Sequence, residues 1–284
     1  MASEYNPEVI EDGRAFDDVG RWCETKHKLV SLYASLFSTA MKGKWGKLAY
    51  VELYAGSGHS KIRGTTRFLA GSPLRALQLK NVFDKYIFCE RSPEKLAALR
   101  HRTKVVAPRA DVAFIHGDCN ERVGDILAEI PKATRTSTVL SLCFVDPYNI
   151  GSMKFDTIRK LSDRYIDFLV LLALFMDANR NYDRYVREDS RQVDEFIGSS
   201  NWRDRWKEAQ PEATTFPKFL AKEYARSMET LGYIAPASYE MKIVRSDEKN
   251  LPLYLLALFS RKALAYELWG EVLKYSTDQG QFWG

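Results

Sequence analysis

The sequence contains few of the residues that build metal sites and disulfide scaffolds. Its 284 residues include only four histidines and four cysteines, and the cysteines form no CxxC motif. A structural zinc site needs clustered ligands of these types, so we expect no bound metal. Three of the cysteines lie in or beside apolar, strand-like segments, which is typical of reduced, buried thiols. The four are Cys23, Cys89, Cys119 and Cys143.

Long hydrophobic runs are also lacking. The longest one, residues 168–176, is far shorter than the roughly 20 apolar residues that span a bilayer. The first residues are acidic and polar, unlike those of a signal peptide. We therefore expect a cytoplasmic protein without a membrane segment.

The chain carries no large excess of either charge, with 42 basic and 37 acidic residues, a net charge of +5 and a pI of about 8.9. This balance permits a polyanionic partner without requiring one. The basic residues are unevenly distributed, because Glu52 is the only acid between Met41 and Arg75. Aromatic residues make up 13% of the chain, which favours a well-filled core or stacking surfaces for a base.

Strand-like and helix-like segments alternate through the middle of the sequence. This order predicts an α/β fold with a doubly wound, mainly parallel, Rossmann-like sheet. Apolar residues at helical spacing also predict an N-terminal helix over residues 22–41. The predicted strands are 48–54, 85–89, 112–116, 139–145 and 166–174, and the helices between them are 72–81, 93–101, 121–129 and 157–161.

The remaining segments complete four predicted regions. Residues 1–47 form an arm and a helix, with residues 1–20 loosely held, and residues 48–178 form the core. Residues 179–235 are charged and aromatic, which favours a helical insertion or lid, with a further helix over 216–231. Residues 236–284 add paired strands over 239–244 and 252–259 and a closing helix over 264–275.

The strongest local motif runs from Val51 to Ser60, where an apolar strand ends in a Gly-x-Gly turn. Such a turn lets the backbone approach a ligand closely. An NAD site would need a third glycine, but position 61 is lysine, and Glu52 precedes the turn. A carboxylate there suits a cationic ligand such as S-adenosylmethionine, which we expect Glu52, Tyr54, Gly56 and Gly58 to bind. Valine at Gly58 is expected to abolish binding of this ligand and to leave the fold largely intact.

Two further strands end in acidic residues. Glu90 follows the second strand, where a doubly wound fold places the acid that binds ribose hydroxyls, although a solvated strand end is the alternative. The longer spacing from the glycines is explained by a loop insertion at residues 61–70. Asp118 follows the third strand, where it can accept a hydrogen bond from adenine or cap the next helix.

The fourth strand ends in Asp146, Pro147 and Tyr148, which we predict to be the catalytic residues. The carboxylate can accept a hydrogen bond from an amine nucleophile, and the proline stiffens the turn. The tyrosine ring can stack on a planar substrate. A plain turn with a surface aromatic is the alternative. Above this edge we expect Lys61, Arg63 and Arg67 to hold nucleic-acid phosphates.

In this order, the motifs resemble those of class I S-adenosylmethionine-dependent methyltransferases. Asp146-Pro147-Tyr148 is similar to the Asp/Asn-Pro-Pro-Tyr motif of enzymes that methylate exocyclic amines of bases, but it lacks the second proline. The stretch from Asp146 to Ser152 is also similar to a motif of tRNA guanine-N2 methyltransferases.

A resemblance to the three-Cys-motif partner family covers nearly the whole chain. It rests on six features: Trp22-x-x-x-Lys26, the stretch 54–58, Gly71-Ser72-Pro73-Leu74-x-Ala76, Asp146-Pro147-Tyr148, Asn179-Arg180-Asn181 and Trp269. The resemblance implies a methyltransferase-like fold and a partner that is a radical-S-adenosylmethionine-like protein with three cysteines.

Three functions therefore stay open at this point. The first is a methyltransferase that acts on an amine of a nucleobase in DNA or RNA. The second is a non-catalytic or accessory module that assists the three-cysteine partner protein. The third is a methyltransferase for a protein or a small molecule.

Overall fold

The computed structural model describes residues 8–209, 214–236, 241–246 and 250–275. Its strands and helices follow the predicted alternation, with additional short elements near the N-terminus and a group of helices after the fifth core strand. In chain order they are β1 (Glu8–Val9), β2 (Asp17–Val19), α1 (Trp22–Met41), β3 (Lys47–Glu52), β4 (His59–Ile62), β5 (Phe68–Ala70), α2 (Ser72–Leu77), β6 (Lys85–Glu90), α3 (Pro93–Val106), β7 (Val112–His116), α4 (Val123–Glu129), β8 (Val139–Val145), α5 (Phe155–Leu161), β9 (Ile166–Leu172), α6 (Leu174–Arg180), α7 (Tyr182–Tyr185), α8 (Gln192–Ile197), α9 (Trp202–Ala209), α10 (Phe216–Glu229), β10 (Lys242–Arg245), β11 (Pro252–Phe259) and α11 (Ala263–Lys274).

The central sheet has the strand order β10-β11-β9-β8-β3-β6-β7 within the described residues. The five neighbouring strands β7, β6, β3, β8 and β9 are parallel to one another. Strand β11 is antiparallel to both β9 and β10. The strand order reverses between β3 and β8, which creates the crevice where doubly wound folds bind ligands. The predicted doubly wound, mainly parallel sheet is confirmed.

Successive side chains of the central strands point into two separate cores. In β9, Phe168 and Val170 pack on one face, whereas Leu169 and Leu171 pack on the other. Helices α1, α2, α3 and α11 cover the second face, and α4, α5, α8 and α10 cover the first. All seven residues of β8 and all seven of β9 are buried, as expected for strands that helices cover on both sides.

A second, smaller sheet with the order β1-β5-β4-β2 was not predicted. Strands β4 and β5 form a hairpin where the sequence indicated a loop insertion. The arm pairs with both edges of this hairpin, so the predicted loosely held arm is wrong for its described part, residues 8–20. The short strands escape periodicity arguments because two or three residues give no measurable alternation.

Several predicted boundaries need correction. Helix α2 ends at Leu77 and its N-cap is Gly71, so Ser72 is the first helical residue. Helix α3 extends to Val106, beyond the predicted end at residue 101. The segment predicted as a helical insertion contains α7, α8 and α9, and residues 239–240 of the predicted penultimate strand lie outside the described residues. No helix in the described ranges is long and apolar enough to cross a membrane.

Candidate cofactor and active site

A cavity of about 320 Å³ opens at the carboxyl ends of β3, β6 and β8, beside the point where the strand order reverses. This volume lies within the range of small-molecule sites. The cavity brings together residues from three of the four predicted strand ends. Its lining includes Tyr54, Gly56, Gly58, Glu90, Asp146, Pro147 and Tyr148.

The glycine turn after β3 has left-handed backbone at both glycines, with φ of +63° at Gly56 and +83° at Gly58. The Gly56 N–H donates to Glu90 Oε2 at 2.8 Å, which ties this turn to the end of β6. An added Cβ at Gly58 would lie 2.9 Å from Leu99 and 3.1 Å from Leu74. It would therefore point into the core, so the expectation that valine at Gly58 leaves the fold intact is wrong.

Glu90 lines the cavity with a carboxylate that is already oriented. In addition to the contact with Gly56, its Oε1 accepts the Ser92 N–H at 2.8 Å. Ser92 is also the N-cap of α3, and its hydroxyl accepts the Lys95 N–H. The predicted ribose ligand thus lies at the cavity, on a strand end that is fixed by two backbone donors.

Glu52 does not line the cavity. Its side chain is fully buried behind the turn, and it accepts hydrogen bonds from the Tyr50 hydroxyl at 2.6 Å and the Ser72 hydroxyl at 3.0 Å. Burial raises the pKa of Glu52 to about 8, although both hydrogen bonds oppose this shift. At neutral pH the group is therefore mostly protonated and supplies little negative charge for a cation.

Two other predicted ligands, Tyr54 and Asp118, form hydrogen bonds with other parts of the protein. Tyr54 lines the cavity, but its hydroxyl donates to the Ser152 carbonyl at 2.7 Å. Asp118 does not line the cavity, and its Oδ1 accepts the Asn120 backbone N–H at 2.9 Å and the Asn120 side-chain amide at 2.8 Å. Its backbone carbonyl accepts the N–H groups of Glu121 and Arg122, so Asp118 organises the turn that precedes α4.

Asp146 forms an ion pair that the sequence did not predict. Lys26 Nζ, from α1, donates to Asp146 Oδ2 at 2.5 Å, and only 7% of the lysine side chain is exposed. Burial opposes the charged form of Lys26, but the Asp146 carboxylate outweighs it and raises the pKa of the lysine above its ordinary value. The pair fixes one carboxylate oxygen, while Asp146 Oδ1 accepts no hydrogen bond within the described part of the chain.

A second unpredicted link crosses the rim of the cavity. Lys95 Nζ, from α3, donates to Asp17 Oδ1 at 2.6 Å and to the Tyr148 hydroxyl at 3.2 Å. The ring of Tyr148 remains 74% exposed. Asp17 Oδ2 also accepts the Ser57 N–H at 3.0 Å, so the arm closes over the glycine turn. Stacking of Tyr148 on a planar substrate stays a prediction that its exposure permits.

The arm is anchored behind this rim by Arg102, whose side chain is 4% exposed. Its guanidinium binds both carboxylate oxygens of Asp12 and donates to the carbonyls of Ala15 and Ser57. Bidentate, charge-assisted contacts of this kind are among the stronger hydrogen bonds in proteins. Sequence patterns gave no signal for this anchor because its partners are far apart in the chain.

Helix α1 contributes a neutral pair to the cavity wall. His27 lies within hydrogen-bonding distance of Cys23, at 3.3 Å between Nε2 and Sγ, and both residues are buried. Burial and then the nearby Lys26 charge lower the pKa of His27 well below its ordinary value, and burial raises the pKa of Cys23 to about 11. Both groups are therefore uncharged at neutral pH.

The three predicted phosphate-binding residues lie on or beside the β4–β5 hairpin. Lys61 Nζ lies 5.5 Å from the ring centre of Phe16 and 5.4 Å from that of Phe68. Arg63, the one that lines the cavity, pairs with Asp18 at 3.6 Å. Arg67 pairs with an acid of α1, Glu24, at 3.1 Å. Their contact with nucleic acid stays a prediction.

No family model matches this chain, and no curated protein matches it. Among solved structures, protein LPL1258 from Legionella pneumophila, of family DUF519, is similar with a TM-score of 0.50 and 13% identity. The alignment covers 89% of this chain and 92% of that one. At this identity the similarity concerns the fold alone.

Two other similar structures are M. jannaschii TYW2 in complex with AdoMet and Trm1 from Pyrococcus horikoshii in complex with S-adenosyl-L-methionine. The first has a TM-score of 0.43 and 11% identity, and the alignment covers 91% of this chain and 88% of that one. The second has a TM-score of 0.41 and 8% identity, and the alignment covers 84% of this chain and 57% of that one. Both scores lie below 0.5, which is too low to support a conclusion about function.

Proposed function

We propose that this protein is an S-adenosylmethionine-dependent methyltransferase that acts on an exocyclic amine of a nucleobase in DNA or RNA. One observation carries the proposal. Residues of the glycine turn, the ribose-type acid Glu90 and the Asp146-Pro147-Tyr148 motif line a single cavity at the reversal of strand order. This is the place where doubly wound folds bind nucleotide-like ligands.

The cavity residues fit the cofactor. Gly56 and Gly58 hold a turn of left-handed backbone at the cavity wall, and Glu90 presents a carboxylate to ribose hydroxyls. When bound, the cofactor supplies an activated methyl group on a sulfonium, which is a good leaving group. The protein's own contribution is then mainly positioning.

In this proposal, Asp146 orients the substrate amine. Lys26 holds its Oδ2, so the free Oδ1 is the acceptor available for an N–H of the substrate. Such a contact directs the nitrogen lone pair and favours the positive charge that develops on nitrogen during attack. The exposed Tyr148 ring supplies a stacking surface, and a base within a duplex has to be flipped out to reach it.

The test is transfer of a labelled methyl group to pooled DNA, tRNA and rRNA. We expect labelled product from wild-type protein and a loss of about tenfold or more in substrate affinity for Tyr148→Ala, because base stacking contributes about 1–3 kcal/mol. Tyr165→Ala is the matched control, since that tyrosine is 60% exposed and does not line this cavity. Absence of transfer to every pool, with cofactor bound, contradicts the proposal.

The Lys26–Asp146 pair also supports a second candidate. Because Lys26 neutralises the carboxylate that catalysis would use, the chain could serve as a non-catalytic module for a radical-S-adenosylmethionine-like protein with three cysteines. That candidate predicts cofactor binding without methyl transfer. It also predicts that partner binding is unaffected by Asp146→Asn.

A further inference from the structure

A second cavity, of about 180 Å³, adjoins the first one and shares Tyr148 and Tyr254 with it. Its remaining walls come from the turn after β8, from α6 and from the residues on either side of that helix. They are Asn149, Ala173, Asp177, Arg180 and Asn181. A molecule stacked on Tyr148 in the first cavity could therefore extend into the second.

The carboxylate in this second cavity, Asp177, already accepts hydrogen bonds from the protein. Asp177 Oδ2 accepts the Ile150 N–H and the Tyr185 hydroxyl, both at 2.8 Å. Its Oδ1 accepts the Asn181 side-chain amide at 2.8 Å. These contacts fix α6 and α7 against the turn after β8, so Asp177 serves to hold the walls together.

Two donors of the second cavity have no acceptor within the ranges that the structure describes. Arg180 forms neither an ion pair nor a side-chain hydrogen bond there. The oxygen of the Asn149 amide accepts from Ser152, while its nitrogen donates to nothing in those ranges. A guanidinium and an amide N–H beside an exposed aromatic ring are the groups that proteins use to bind a nucleotide phosphate.

The hairpin cations differ from Arg180 in this respect. Arg63 and Arg67 each pair with an acid, and the Lys61 ammonium packs against two aromatic rings that contact each other. A phosphate that approached them would compete with these contacts. Arg180 offers its charge without such competition and lines the same cavity as Tyr148.

We propose that the second cavity binds the phosphate group of the nucleotide whose base stacks on Tyr148, through Arg180 and the amide of Asn149. This inference rests on the proposed function and adds to it a site for the phosphate. It commits the substrate to a phosphorylated nucleotide, free or within a nucleic acid, and not to a bare nucleoside.

The experiment measures binding by calorimetry with the full chain saturated with S-adenosylhomocysteine. The probes are the common nucleosides, their 5′- and 3′-monophosphates, and short oligonucleotides that contain the same bases. We expect at least one monophosphate or oligonucleotide to bind about tenfold more tightly than its nucleoside, as a charge-assisted hydrogen bond provides. Arg180→Gln should abolish this difference, whereas Arg184→Gln, a nearby exposed arginine that lines neither cavity, should preserve it.

Equal binding of nucleosides and phosphorylated probes overturns the inference, and so does absence of binding by every probe. An equal effect of the two arginine variants also overturns it. A response limited to oligonucleotides supports it and identifies the phosphate as part of a chain. Methyl transfer measured in parallel separates the two proposals. If methyl groups are transferred but nucleosides and phosphorylated probes bind equally, only the phosphate site is rejected. If phosphorylated probes bind more tightly but no methyl group is transferred, only the methyltransferase activity is rejected.

Discussion

Lys26 Nζ and Asp146 Oδ2 lie 2.5 Å apart, which joins the N-terminal helix to the turn that carries the predicted catalytic motif. The lysine is nearly buried, and 21% of the aspartate side chain is exposed to the cavity. Removing one member of such a pair leaves the other charge without compensation in a poorly solvated place. The pair therefore couples the stability of the fold to the geometry of the site.

The first prediction concerns this coupling. Lys26→Met should lower the free energy of unfolding by about 2–4 kcal/mol, because an unpaired carboxylate remains in a largely buried position. Lys26→Met combined with Asp146→Asn should lose less than the sum of the two single variants. Urea denaturation measures both.

Lys28→Met is the control for the lysine variant, because Lys28 lies on the same helix and, within the described residues, its ammonium forms no ion pair and donates to the Tyr275 carbonyl at 3.3 Å. It should change stability by less than about 1 kcal/mol. Additive effects of the single variants at Lys26 and Asp146 would contradict a coupled pair.

The second prediction compares two glycines with left-handed backbone, one in the glycine turn and one in the β4–β5 hairpin. Gly58→Ala should destabilise the protein by about 2–4 kcal/mol, because the new Cβ would meet Leu99 and Leu74 in left-handed backbone. Gly64→Ala, at a φ of +73° with nothing within 4 Å of its Cβ, should show only the backbone strain, about 1 kcal/mol. Thermal unfolding of the two variants compares them, and equal losses would exclude the packing argument.

Much of the central fold could be predicted because its inner strands, such as β8 and β9, are buried on both faces. Strands β7, β8 and β11 begin and end at the predicted residues, since apolar runs with polar ends define such boundaries well. The small sheet could not be predicted. Its arm strands β1 and β2 are two and three residues long, and they are stabilised by pairing with a distant hairpin.

Some residues of the site could likewise be predicted from the sequence, and others could not. Glu90 and Asp146 could be assigned to one cavity because both end parallel strands, whose carboxyl ends meet at one edge of the sheet. Asp17, Lys26 and Lys95 come from other elements, and only tertiary packing brings them there. Glu52 precedes the turn as predicted, but its direction away from the cavity depends on the Tyr50 and Ser72 hydroxyls.

The third prediction concerns pH. Because burial raises the pKa of Glu52 to about 8 in the folded state, the folded protein binds a proton that the unfolded chain releases at lower pH. The stability that this bound proton contributes is fully present below the ordinary glutamate pKa and is lost as pH rises toward 8. Within that window stability should fall by up to about 1.4 kcal/mol per pH unit.

Glu52→Gln should remove this pH dependence while keeping an acceptor for Tyr50. Chemical denaturation at pH 5, 6, 7 and 8 gives the slope for wild type and variant. Glu121→Gln, at a solvent-exposed glutamate, should leave the wild-type slope unchanged. A variant that retains the full slope would assign the dependence to another group.

The last prediction tests whether the arm is part of the cofactor site. Arg102 holds Asp12 and the Ala15 carbonyl on the arm, and through the Ser57 carbonyl it also holds the glycine turn. Arg102→Leu should release the arm and with it Asp17, which lines the cavity. We expect faster hydrogen exchange at residues 17–19 and a loss of about tenfold or more in affinity for S-adenosylmethionine, because the cavity then lacks one wall.

Arg100→Leu is the matched control, since Arg100 lies on the same helix but over the Phe114 ring, away from the arm. Faster exchange in the arm with unchanged cofactor affinity would show that the arm covers the site without contributing to binding, whereas loss of affinity in both variants would indicate a general weakening of α3.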